Sequence, residues 1–315
     1  MKIKDLQEGM SVKITLAVLS AELKPNKNKV DKYLDITLFD GSDQINGKMW
    51  SYSSPYMPEK NTVVDVTARV GSWQGTPQFT ISLVELNTGV PIQSFMPKGD
   101  IDIKEYIAKA VTLIDEIEHE ELRRLVRLIY NDNKVLMQFV PSAMSIHHAF
   151  VAGTLMHHVD SALKAKAIAN LIPGCNVDLC VAGAMLHDLG KLWTYELDGV
   201  AIGYTVDGNM MDHIPLGMLK LQEHVTEYNR ELMILLQHII ASHHGKREYG
   251  SPVTPRFLEA WVVSYADGID AKAQTIIEIN NGLPEGSIYT KKEWSLENNA
   301  QFTIDYITAI LDKTK

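Results

Sequence analysis

Cysteine is nearly missing from this chain of 315 residues: there are two, Cys175 and Cys180. Two thiols cannot staple a disulfide scaffold and match no paired-cysteine zinc pattern, so they read as small packed residues. Long apolar runs are missing too, and no stretch approaches the ~20 residues that cross a bilayer. The opening segment, MKIKDLQEGM, lacks the apolar run and small-residue cleavage site of a secretory signal. A cytoplasmic protein with no membrane partner is the expectation. An excess of positive charge is also lacking: 30 Lys and Arg against 39 Asp and Glu give −9. That argues against a general basic surface for gripping phosphates. The deficit is uneven, because residues 1–100 carry 11 basic and 11 acidic side chains and the remainder carry 19 and 28.

The length is about twice that of an average domain, which predicts two. Residues 10–87 read as short strands of period two: Leu34, Ile36 and Leu38 alternate with Tyr33, Asp35 and Thr37, and Val64, Val66, Ala68 and Val70 alternate with Asp65, Thr67 and Arg69. Turns fall at Asp40-Gly41-Ser42 and Gln74-Gly75-Thr76-Pro77. About five strands in so short a span fit an OB-like Greek-key barrel better than an immunoglobulin sandwich. The predicted organisation is multidomain: an all-β OB-like barrel over 1–90, a linker over 91–102 with no helical or strand period, and an all-α helical domain over 103–315. Helical apolar spacing marks 103–129, 150–172, 177–186, 214–224, 230–241 and 254–267, with a terminal amphipathic helix near 301–311.

Histidine carries the chemistry. Ten of the eleven lie between 147 and 244, in a region that otherwise reads as ordinary helices. A single His-Asp dipeptide means little, but an ordered series means more. His157, His187-Asp188, His213, His243-His244 and Asp267 are separated by 30, 25, 30 and 23 residues, roughly a helix and a connection each time. That spacing lets successive helices bring ligands to one bundle centre. His119, His224 and His238 read as ordinary helix residues, and His158 as a packing or solvent-facing one.

The order H…HD…H…HH…D resembles that of the HD-domain metal-dependent phosphohydrolases. The words AMLHDLGK (184–191), ASHHG (241–245), SIHHAFVAGTLMHH (145–158) and YADGID (265–270) look like that superfamily's segments. With an OB-like barrel ahead of it and a WQGTPQF hairpin (73–79), the chain is similar to the YhaM-type 3′-to-5′ exoribonucleases. The resemblance implies an HD-domain bundle with metal ligands His157, His187, Asp188, His213, His243, His244 and Asp267, with Asp188 shared between two ions. His244 stands also as a residue that orients a ligand. A 3′-to-5′ direction of digestion is implied by the resemblance alone.

Imidazole and carboxylate together suit a divalent transition metal, Mn²⁺ first, with Fe, Co, Ni or Zn as alternatives, whereas Ca²⁺ and Mg²⁺ prefer an all-oxygen shell. Two divalent ions against Asp188 and Asp267 would leave a locally positive centre inside an acidic domain. The catalytic candidates are Asp188, His187 and Lys191, the last placed to meet a phosphate oxygen as charge develops. Outward positions on the barrel make Tyr33, Lys48, Trp50 and Trp73 candidates for nucleic-acid contact, with Lys24, Lys27, Lys29 and Lys32 as an electrostatic approach. His147 and His148 would contact substrate phosphate or cap a helix.

These readings predict a metal-dependent phosphodiesterase acting on single-stranded RNA, with single-stranded DNA as a second polymer. The alternatives are an HD phosphohydrolase of a small or cyclic nucleotide, and a non-catalytic single-strand-binding protein. Nothing in the sequence fixes an oligomeric state.

Overall fold

The computed structural model describes residues 2–26, 31–50, 52–53, 56–99, 101–144, 148–224 and 227–312. By contact the chain divides into two units: residues 1–98 with 197–203, and 99–196 with 204–315.

The first unit is a five-stranded barrel of β1 (Ser11–Pro25), β2 (Lys32–Phe39), β3 (Gln44–Met49), β4 (Val63–Trp73) and β5 (Thr76–Leu86). It closes in the order β1-β2-β3-β5-β4, with β3 and β5 parallel and the other pairs antiparallel. This is the OB-like architecture that the alternation predicts. Leu34, Ile36, Leu38, Ile45, Val64, Val66 and Phe79 are buried in one core, and Met49 packs against it half-buried. Gly47 faces the same interior, where a Cβ would stand 2.5 Å from Ile81 Cδ1. Asp40 ties down the turn after β2, accepting from the backbone N–H groups of Ile3, Ser42 and Asp43.

The second unit is helical. Its helices are α1 (Ile103–Asp115), α2 (Glu120–Asp132), α3 (Lys134–Met137), α4 (Gly153–Leu171), α5 (Val177–Leu186), α6 (Lys191–Thr194), α7 (Val206–Met211), α8 (His213–Gln222), α9 (Arg230–Ser242), α10 (Leu258–Asn281) and α11 (Ile304–Asp312). The apolar faces of α1–α6 and α8–α10 meet in a single core that includes Leu125, Ile129, Leu155, Met185, Leu186, Leu236 and Val263.

Three sequence expectations differ from the structure. The helical period over 103–129 belongs to two helices, because the His119 ring caps α2 by accepting from the Leu122 N–H and breaks the run there. The 254–267 period continues to Asn281 as α10. A short two-stranded sheet, β6 (Tyr195–Asp198) and β7 (Ala201–Tyr204), interrupts the helical region. Its tip groups with the barrel: Val200 is buried with Ala17, Val63 and Phe95, and Asp198 pairs with Lys60 and Asn61. Among the described residues no helix is long and apolar enough to cross a membrane.

Candidate metal centre and barrel face

The two histidine-bearing words end two helices in the same way. His187 follows α5 and His243 follows α9, each at the C-cap, where the last-turn carbonyls lack helical partners. Each ring folds back to satisfy one: His187 Nδ1 donates to Ala184 O at 2.7 Å and His243 Nδ1 to Ile240 O at 2.8 Å. A carbonyl can only accept, so Nδ1 carries a proton and Nε2 is the nitrogen turned towards the centre. His244 Nδ1 bonds Tyr249 O at 2.7 Å in the same sense. Carboxylates do this for the other two, with His157 Nδ1 at 2.7 Å from Asp270 Oδ2 and His213 Nδ1 at 2.7 Å from Asp212 Oδ1.

Four donors converge in a first set. His157 Nε2 lies 3.1 Å from His187 Nε2, 3.1 Å from Asp188 Oδ2 and 3.2 Å from Asp267 Oδ1. His187 Nε2 stands 3.4 and 3.7 Å from the same two oxygens. Ligands about 2.1 Å from a shared ion lie roughly 3.0–3.4 Å apart at right-angled to tetrahedral coordination, so the spacing suits a transition metal.

A second set forms on the other oxygen of Asp188. Asp188 Oδ1 is 3.6 Å from His213 Nε2 and 3.4 Å from His243 Nε2, and His244 groups with these two histidines. All three named atoms are buried and lack a hydrogen-bond partner among the described residues. An orphaned buried polar atom costs about 1–3 kcal/mol, so three aimed at one point are accounted for by a cation. Asp188 thus offers one oxygen to each set, and the residues fit two ions.

Other groups hold this arrangement. Lys191 Nζ pairs with Asp188 Oδ2 at 2.6 Å and donates to the buried Ser142 at 3.1 Å. Asp270 receives His157, His148 and Lys164 at once. Before α4 the backbone is left-handed at His148 and Ala152, with φ of 59° and 64°, strain of the kind that collects at functional sites. A Cβ on Gly153 would meet His148 O at 1.9 Å, so this approach to His157 is closely packed.

His148 corrects one expectation. It is fully buried and bonds Asp270 Oδ2 at 2.8 Å, which puts it behind His157 and not on a surface that a phosphate could reach. His147 lies outside the described residues. His158 is buried, with Nδ1 3.0 Å from the Tyr130 hydroxyl. Sequence reasoning missed Asp270 and Asp212. Asp270 carried a signal, since it lies three residues after Asp267 and therefore on the same helix face.

Residues 154–272 match the HD domain family model. The span runs across every candidate ligand from His157 to Asp267. Residues 154–272 form an HD domain. Together with the His/Asp cluster, that indicates a metal-dependent phosphohydrolase. For the barrel, a likeness is found to the solution NMR structure of the second OB-fold domain of replication protein A from Methanococcus maripaludis. The identity is 17%, over 29% of this chain and 96% of that one, with a TM-score of 0.25. The OB-like assignment itself rests on strand order and closure.

Charge divides the HD-domain centre. Burial opposes a charge on His157, but hydrogen bonds with Asp188, Asp267 and Asp270 outweigh it and hold the imidazole well above its ordinary pKa. Burial is likewise overcome at His187, which Asp188 raises to about 9. In the second set burial prevails, lowering His243 and bringing His244 to about 4. Burial would raise Asp188, yet Lys191 and His187 keep it ionised far below the carboxylate range. Protons therefore compete with metal at His187 below pH about 9 and also at His157, whose imidazole is likewise raised, and not at His243 and His244 near neutrality. Titration of metal-free protein with Mn²⁺ at pH 7, in buffers of differing ionisation enthalpy, is expected to release about one to two protons per chain, with weaker binding as pH falls. Release of none would contradict the assignment.

On the barrel, Tyr33, Lys48, Trp50 and Trp73 come together on one outer face. The Tyr33 and Trp50 rings lie 5.0 Å apart, and Lys48 Nζ stands 5.7, 5.6 and 6.0 Å from the rings of Tyr33, Trp50 and Trp73. Trp50 and Trp73 are 49% and 64% exposed, enough for a flat partner to stack on them. Of the approach lysines, Lys24 is taken up by Asp35 at 2.8 Å and Lys32 is exposed, while Lys27 and Lys29 lie outside the described residues.

Proposed function

We propose that this chain is a metal-dependent exoribonuclease that removes nucleotides from the 3′ end of single-stranded RNA, and of single-stranded DNA as a second polymer, in a reducing cytoplasm. The observation that carries the hydrolytic part is Asp188, a buried carboxylate with one oxygen facing each of two donor sets. Bound ions there, Mn²⁺ first, would activate water and stabilise charge on a phosphodiester in transit. The chain's own residues supply the rest. Nδ1–H bonds to Ala184, Ile240, Asp212 and Asp270 keep each imidazole aimed, and Lys191 holds Asp188 ionised while offering an ammonium beside the centre.

A polymeric substrate is favoured by the barrel face. Exposed aromatics around a lysine ammonium can stack bases and neutralise phosphate without choosing a sequence, and a mononucleotide substrate needs no such platform.

The test compares two substrates. In the triple variant Lys48→Ala/Trp50→Ala/Trp73→Ala, kcat/KM on 5′-labelled single-stranded RNA is expected to fall by about 10²-fold, because each lost stacking contact is worth about 1–3 kcal/mol. Hydrolysis of the small ester bis(4-nitrophenyl) phosphate should be unchanged. Equal losses on both substrates, or none on RNA, would contradict the reading.

A further inference from the structure

The helical unit contains a cavity of about 540 Å³ walled by α1, α2, α3 and α4, and none of its lining residues belongs to the metal centre. We propose that it binds a small amphiphilic anion, a medium-chain carboxylate in chemical class. The size falls in the range of about 300–1,000 Å³ usual for small-molecule sites. Ile107, Val111, Ile114, Met137 and Leu155 make one apolar side of the cavity, and mainly polar and charged residues make up the rest of the lining. Two of these, Ile107 and Val111, are left 36% and 51% exposed, an apolar surface that an acyl chain would cover.

Charge selects the head group. Arg123, Arg127 and Lys134 line the cavity with one carboxylate, Asp115, inside a portion of the chain that otherwise carries an acid excess. Asp115 pairs with Arg127, and Glu120 with Arg123, which also donates to Ile117 O. Lys134 has no ion pair among the described residues, so its ammonium is the one left to receive an anion. A single unneutralised ammonium matches a monoanionic carboxylate better than a dianionic phosphate. Tyr130 is the one aromatic ring in the lining, so a nucleobase would have little to stack on.

Tyr130 links the cavity wall to the surroundings of the metal centre. Tyr130 lines the cavity while its hydroxyl meets His158 Nδ1 at 3.0 Å and Met185 O at 3.1 Å. The His158 ring in turn stands 5.7 Å from that of His187.

The test is displacement of 1-anilinonaphthalene-8-sulfonate from the full-length protein by decanoate, with decanol as the neutral counterpart. Decanoate is expected to bind saturably at one per chain below about 1 mM and more tightly than decanol. Filling the cavity with Val111→Trp should weaken decanoate by at least about tenfold. Lys134→Glu, on the surface and so independent of core folding, should weaken decanoate by about tenfold and leave decanol unchanged. Circular dichroism establishes that both variants fold. Absence of saturable decanoate binding, equal affinity in Val111→Trp, or decanol binding as tightly as decanoate would each overturn the proposal.

Discussion

Asp188→Asn is expected to abolish phosphodiester hydrolysis, with kcat lowered by about 10³-fold or more, and to reduce the metal content from about two ions per chain to at most one. Lewis-acid stabilisation of phosphoryl charge is worth several kcal/mol, and each 1.36 kcal/mol is tenfold in rate. The effect is large because Asp188 is the one residue common to both donor sets. Asparagine keeps the volume but removes the charge that faces His157, His187, His213 and His243. Asp188→Ala is the less informative variant. Both variants leave the buried Lys191 ammonium without its counter-charge, which costs about 3–5 kcal/mol of stability, but Ala also removes the side-chain oxygen that can still accept from Lys191 and leaves a cavity. Elemental analysis and kcat on a small diester check the Asn variant, and retention of two ions with normal turnover would contradict the bridging role.

Gly190→Ala is expected to destabilise the protein by about 3 kcal/mol or more, the upper range for forcing atoms into a packed site. Gly190 sits in the turn between Asp188 and Lys191, where a Cβ would stand 1.9 Å from His213 O and 2.5 Å from Gly217 N. Both are backbone atoms of α8, so no rotamer change relieves the clash. The helix must move, and it carries His213 at its first position. Loss of stability should therefore come with loss of the second ion while the first is retained. Urea unfolding and metal stoichiometry read the two effects separately. Wild-type stability in Gly190→Ala would mean that the AMLHDLGK turn does not approach α8 this closely.

Much of this was legible in the residues, for identifiable reasons. The barrel strands show because one face of each is buried, so Leu34, Ile36 and Leu38 alternate with polar neighbours. The donor series shows because the words after α5 and α9 place histidines where the helices end. What the sequence hides depends on packing between distant segments. Asp270 becomes the support of His157 only when α10 lies against α4, 113 positions away. The two histidines of SIHHAF look alike on paper, yet His148 is enclosed beside Asp270. The β6–β7 excursion is hidden because four-residue strands have too little periodicity to distinguish from a loop. The break at His119 is hidden because apolar spacing continues through both flanking helices and a histidine cap is not among the strongly preferred ones.

The most direct measurement of the central claim uses full-length protein stripped with a chelator, dialysed, and incubated with 5′-labelled single-stranded RNA before and after addition of Mn²⁺. The account predicts no cleavage without metal, a ladder shortening from the 3′ end once Mn²⁺ is restored, and no ladder from Asp188→Asn under the same conditions. An intact strand with Mn²⁺, Fe²⁺, Co²⁺, Ni²⁺ and Zn²⁺ alike, or a ladder that persists in Asp188→Asn, would contradict it.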